Sequence, residues 1–176
     1  MTGDQASGGQ RPELAKDELQ KRAVVAKQIA ASFGEIVTLL MRAPSERTRQ
    51  LSDLEWMVVP ALQTGQFAIA DAQSKETGVV MPVGAVMWAF VSDDIDRRMS
   101  GDLERPFKLE PNEWRSGANP WIVAAFGDPK VVGGLLQQLT KTVFKDKPAK
   151  MRARGADGKP FVGRLEFNAE GPLPSA

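Results

Sequence analysis

The sequence predicts a single α+β domain, and three observations carry that prediction. Apolar residues recur at helical spacing from Leu14 to Leu40. Two later apolar runs, Val83 to Val91 and Trp121 to Phe126, are short and β-branched or aromatic, as strands are. Near the C-terminus a Gly155-Ala156-Asp157-Gly158 link joins two more strand-like segments. At 176 residues the chain has one-domain length and can bury most of its apolar surface.

Residues 1–12 are polar and Gly-rich, with little to bury, and are expected to be disordered. The domain is expected over 13–168. From Glu13 the pattern turns helical, with Gly34 a point where the helix would bend or divide and Pro44 its stop. Ser52-Asp53 ahead of Leu54-Glu55-Trp56 reads as the capped start of a short helix ended by Pro60. Gln66 to Ala72 alternates as a half-buried strand, and Lys75 to Gly78 is a polar loop. The run Val83 to Val91 fits a strand covered on both faces. Ser92-Asp93-Asp94 caps a helix through Met99 that Gly101 closes. After an irregular, Pro-punctuated stretch and the strand at 121–126, Asp128-Pro129 opens a helix to about Phe144, with Asp as cap and Pro in the first turn. Met151 to Arg154 and Phe161 to Phe167 form the final hairpin, and 169–176 is expected to be a loose tail.

Composition narrows the chemistry. The chain has no Cys and no His, which removes disulfides, thiol nucleophiles, imidazole bases and the usual zinc ligands. A formal net charge of +1, without interleaved basic and aromatic residues, argues against nucleic acid as a partner. No uninterrupted apolar run reaches the ~18–20 residues of a membrane span, and the N-terminus lacks a signal-peptide core. A cytoplasmic protein is the expectation. Gly133-Gly134 lacks the spacing and Lys of a phosphate loop. The basic residues Arg97, Arg98, Lys141, Lys145, Lys147, Lys150, Arg152 and Arg154 are expected to be solvated, with an acidic carrier docking on one such run as the alternative.

One set of short motifs is more specific. Ala43-Pro44-Ser45-Glu46 is followed by Leu54-Glu55-Trp56 leading to Pro60, then by Gln66-Phe67 and Trp88-Ala89. Trp114-x-Ser116-Gly117, Trp121 and Phe126-Gly127 complete it. In this set the chain, from about Ile29 to Phe167, resembles the RTX toxin-activating lysine-acyltransferases. That resemblance implies a GNAT-like fold, a central mixed sheet flanked by helices, and a homodimer. It implies transfer of a fatty acyl chain from acyl carrier protein, the cosubstrate, to internal lysines of an RTX-type toxin, with no cofactor bound. The chain is a divergent member, because Glu46 stands where the family has its catalytic His. The segment after Trp121 is about three residues short of the family pattern, and either Ala124 stands where the family's Asp belongs or the Asp falls in the missing stretch.

Acyl transfer to lysine needs the free amine. With a lysine pKa near ~10.4, deprotonation at pH 7 costs roughly 4.6 kcal/mol. A general base near the amine and donors for the thioester oxyanion supply this chemistry. Glu46 is the candidate base, against a reading as a solvated acid beside Arg47 and Arg49. Ser116 and Gly117 are candidate oxyanion donors, against a reading as turn residues. Trp88, Trp114 and Trp121 either line an acyl channel or belong to the core. A non-catalytic binding or scaffolding module on the same fold is the alternative function.

Overall fold

The structure, a computed structural model, describes residues 11–165, with side chains from residue 16. The expected disordered N-terminus, apart from Arg11 and Pro12, and the expected loose tail lie outside the described residues. Helix α1 (Arg11–Arg42) leads through a 3-10 turn, Pro44–Glu46, into α2 (Leu51–Met57) and α3 (Val59–Thr64). Strands β1 (Phe67–Gln73) and β2 (Val80–Val91) form a hairpin, followed by α4 (Asp93–Ser100) and β3 (Asn119–Gly127). Helix α5 (Pro129–Thr142) crosses over to β4 (Ala149–Arg154) and β5 (Pro160–Leu165). The sheet order is β1-β2-β3-β4-β5. Its neighbours are antiparallel except for β3 and β4, which are parallel, as a helical crossover requires. This is the α+β, GNAT-like, single-domain architecture: a mixed sheet flanked by helices.

Strand β2 is the spine. Ala85, Met87, Ala89 and Val91 join the core beneath α1, α2 and α3, whereas Val86 and Trp88 join the core beneath α5. Period-two alternation thus feeds two apolar layers from one continuous run. A bulge lies where Met87 and Trp88 face Ala124 and Ile122, which leaves Val123 as the extra residue on β3. The odd residue reverses the alternation, so Trp121 and Phe126 both pack on the α1 side. The short spacing noted after Trp121 falls at this bulge.

Three expectations need correction. Gly34 neither bends nor divides α1, since one helix runs from Arg11 to Arg42. A glycine costs about 1 kcal/mol in a helix interior without having to break it. Pro60 does not end the short helix but sits in the first turn of α3, where its missing N–H costs nothing. The cap of α2 is Gln50, whose N–H donates to the Asp53 carboxylate at 3.2 Å, two residues earlier than the Ser52-Asp53 start. Elsewhere local chemistry acts as expected. The Ser92 hydroxyl accepts from the Ile95 N–H, and the Asp128 carboxylate accepts from the Lys130 and Val131 N–H groups.

Residues 16–42 of α1 are, by length and composition alone, apolar enough to cross a membrane, with one window of mean hydropathy 1.5. Counting uninterrupted runs misses this because Lys27 and Glu35 break the run. Yet Ile36, Leu39 and Leu40 are buried in the core over the sheet. Toward the N-terminus Leu19, Val24 and Val25 are exposed.

Trp88 anchors the α5 layer, 6% exposed, with its ring edge-on to Phe144 at 6.0 Å. Trp88→Ala is expected to cost about 3–5 kcal/mol in urea unfolding, through lost burial and the cavity left behind. A loss under about 1 kcal/mol would contradict this packing.

Candidate functional site

A cleft of about 560 Å³ opens where α1 ends, β2 begins and β3 leaves the sheet. Its size suits a small ligand or acyl chain. The end of α1 contributes Leu39, Arg42 and Ala43, and the 3-10 turn contributes Pro44, Ser45 and Glu46. The facing wall is Pro82 and Val83 of β2 with the 125–128 segment. Pro44 sits at the start of the 3-10 turn, where its missing N–H costs nothing, and the turn ends at Glu46, which lines the cleft.

Glu46 therefore faces a cleft, half-buried, but its carboxylate is engaged. Its Oε2 is paired with the Arg49 guanidinium, and its Oε1 accepts from the Ser45 hydroxyl at 3.2 Å. Arg47, the other expected neighbour, instead donates to the Met41 carbonyl at 3.0 Å. Asp128 is the second acid on the cleft wall. Its Oδ1 caps α5, at 2.8 Å from the Lys130 nitrogen and 3.2 Å from that of Val131. Ala124 packs against the α1-side core and brings no carboxylate.

Ser116 and Gly117 are not brought together with Glu46. They precede the start of β3, whereas the cleft lies at its end. Seven residues lie between Gly117 and Ala125, all but the first in β3, a span of roughly 25 Å at ~3.3 Å per residue. Their N–H groups are also committed, Ser116 to the Glu113 carbonyl at 3.3 Å and Gly117 to the Phe90 carbonyl at 3.1 Å. The Ser116 hydroxyl accepts from the Ser92 N–H and donates to the Glu113 carbonyl, both at 2.9 Å. A Cβ on Gly117 would lie 2.5 Å from the Val91 carbonyl oxygen, so only glycine fits there. The Trp-x-Ser-Gly segment is thus a clip that ties the end of β2 to the start of α4, steadied by a two-pronged Arg98–Glu113 ion pair.

The tryptophans sit in the core. Trp114 and Trp121 are fully buried, and Trp88 nearly so. The indole N–H of Trp121 donates to Asp96 at 2.7 Å, and Lys150 donates to both oxygens of the same carboxylate at 2.9 and 2.7 Å. This cluster sits on the junction of β3 and β4, which pair only at Trp121–Lys150 and Ile122–Met151. The basic residues expected at the surface are partly drawn inward here. Lys147 donates to the Asn119 side chain at 2.5 Å, and Arg152 donates to the carbonyls of Met99, Asp102 and Arg105.

Sequence reasoning named Glu46 but not Arg42, and it did not place Asp128 in the same cleft. The signal for Asp128 was present in Phe126-Gly127-Asp128-Pro129, a turn followed by a helix cap. Among the described residues no cluster of three metal-ligating side chains occurs. Residues 25–161 match the model of the HlyC, or RTX toxin acyltransferase, family. No curated protein matches the chain.

Burial works to raise the Asp96 carboxyl pKa, but Lys150 and the Trp121 N–H together outweigh it and hold it below the ordinary value. A lowered carboxyl stabilises the fold fully above its unfolded pKa, near ~3.9, and stops doing so as pH falls through the folded value. Wild type is therefore expected to lose, as pH falls below about 5, stability that Asp96→Asn never had, so their urea midpoints converge as pH falls. Parallel curves would contradict the role given to Asp96.

Proposed function

The chain belongs to the RTX toxin acyltransferase family, and on that premise we propose that it moves a fatty acyl chain from acyl carrier protein to internal lysines of an RTX-type toxin. The observation that carries the reading is the cleft, with Glu46 on its wall at the position where the family resemblance places the catalytic base. The lysine nitrogen attacks the thioester carbonyl carbon. Glu46, released from Arg49, accepts the proton shed by the amine. The tetrahedral intermediate collapses with cleavage of the C–S bond, and the proton passes to the departing sulfur. The products are an amide and the free thiol of the carrier. Among the described residues no strand pairs with β3 beyond Ile122 on its β4 side. That edge supports the reading further, because the amides of a donor arm can pair along it as an added strand. We place the protein in the cytoplasm, where carrier and newly made toxin meet, and as a homodimer, in line with the family resemblance.

A specific observation favours a second reading, a binding or scaffolding module on the same fold. Glu46 is tied to Arg49, and the N–H groups of Ser116 and Gly117 are spent on the protein's own carbonyls.

The two readings part in one assay: mass spectrometry of a cognate toxin after incubation with fatty-acyl-loaded carrier protein and this chain. The enzyme reading expects acyl-lysine well above the uncatalysed control, and a fall of roughly 100-fold or more in Glu46→Gln, the scale of losing a general base. Absence of acyl-lysine across several acyl lengths, with the toxin bound, would establish the scaffold reading. Full activity in Glu46→Gln would remove Glu46 from the mechanism.

A further inference from the structure

The cleft carries one cation without an acidic partner. Arg42 lines it, and its guanidinium contacts only the Pro82 carbonyl oxygen at 3.4 Å and the Met81 sulfur at 3.5 Å. Among the described residues Arg42 takes part in no ion pair. The alternatives around it are already used. Arg49 is held by Glu46, and the N-terminus of α5, which would otherwise attract an anion, is closed by the carboxylate of Asp128. Arg47 lies beside the same helix end, bonded to the Met41 carbonyl and, among the described residues, paired with no carboxylate. The rest of the lining combines apolar Leu39, Val83, Ala125 and Phe126 with two carboxylates already engaged within the protein, Glu46 with Arg49 and Asp128 at the cap of α5.

A partly apolar cleft with one free guanidinium suits an amphiphile that has an apolar end and a single anionic group. We propose that Arg42, assisted by Arg47, binds the phosphate that ends the pantetheine arm of the acyl donor. The planar guanidinium can grip a phosphate with two parallel N–H bonds, which a lysine at this place could not reproduce. This inference rests on the acyl-transfer reading for the identity of the donor, but the phosphate contact can be measured without turnover.

The test is calorimetric titration of the full chain with two soluble donors, S-acyl-4′-phosphopantetheine and S-acyl-pantetheine, which differ only in the phosphate. The phosphorylated donor is expected to bind about tenfold or more tightly, the scale of a hydrogen bond to a charged group. Arg42→Gln should abolish that preference, leave affinity for S-acyl-pantetheine unchanged and leave the unfolding midpoint unchanged. Arg42→Lys should retain part of it. Equal binding of both donors by wild type, or an intact preference in Arg42→Gln, would overturn the proposal. Acyl coenzyme A and acyl-loaded carrier protein, titrated in turn, separate the sources of the phosphate. Dependence on Arg42 with both supports the shared arm. Dependence with the carrier alone would assign Arg42 to the carrier's acidic surface and overturn it. A phosphate preference with no lysine acylation would keep this site and sink the acyl-transfer reading. Acylation whose donor KM ignores Arg42→Gln would do the reverse.

Discussion

Where β3 leaves the sheet, its backbone lies so close to β2 that Gly127 can carry no side chain, and α5 crowds Gly84 across the pair. A Cβ on Gly127 would lie 2.3 Å from the Val83 carbonyl oxygen, and its φ of +120° is one that L side chains rarely adopt. A Cβ on Gly84, its partner in the sheet, would lie 2.9 Å from a Val131 methyl of α5. Because both positions are glycine, the Asp128 N–H reaches the Val83 carbonyl at 2.8 Å and α5 starts at once. That turn seats α5 on the Trp88 face of the sheet. It also builds the wall of the cleft opposite Glu46. Fold and candidate site thus hang on the same close contact.

The other end of the sheet is organised by charge. Only two residue pairs join β3 to β4, too few to fix a register by ladder hydrogen bonds alone. Asp96, Lys150 and the Trp121 N–H add a partly buried ionic clamp at that junction. A clamp of this kind selects one arrangement, because breaking either partner strands a desolvated charge. Among the described residues, the narrow junction leaves the remainder of β3 unpaired on its β4 side, toward the cleft.

Much of the fold was legible because the signals were local. Ser92, Asp128 and the Gly155–Gly158 link announce their caps and turn by short-range hydrogen bonding, and β2 announces its double burial by an unbroken apolar run. Gly34 and Pro60 misled because local propensity is weak against packing: α1 continues over the sheet, and a proline is as good a helix start as a stop. The site was legible only in part. Glu46 could be named from its motif, but which residues share its cleft depends on where β2 and β3 end, a long-range fact. Ser116 and Gly117, candidate oxyanion donors by motif, lie before β3 begins, whereas the cleft with Glu46 lies at its end, and no local signal in the sequence shows that separation. Arg42 carried no motif at all, and only its missing partner marks it.

Acyl transfer as proposed above requires the cleft between the end of α1 and the turn at Gly127 to hold the reacting thioester. The most direct measurement is a crystal structure of the full chain with acyl carrier protein loaded with a non-hydrolysable acyl thioester analogue. The claim predicts the carbonyl carbon inside this cleft, at about 3–3.5 Å from the position an attacking amine would take beside Glu46. An acyl chain seated elsewhere, such as among Trp88, Trp114 and Trp121, with the cleft unoccupied, would contradict it.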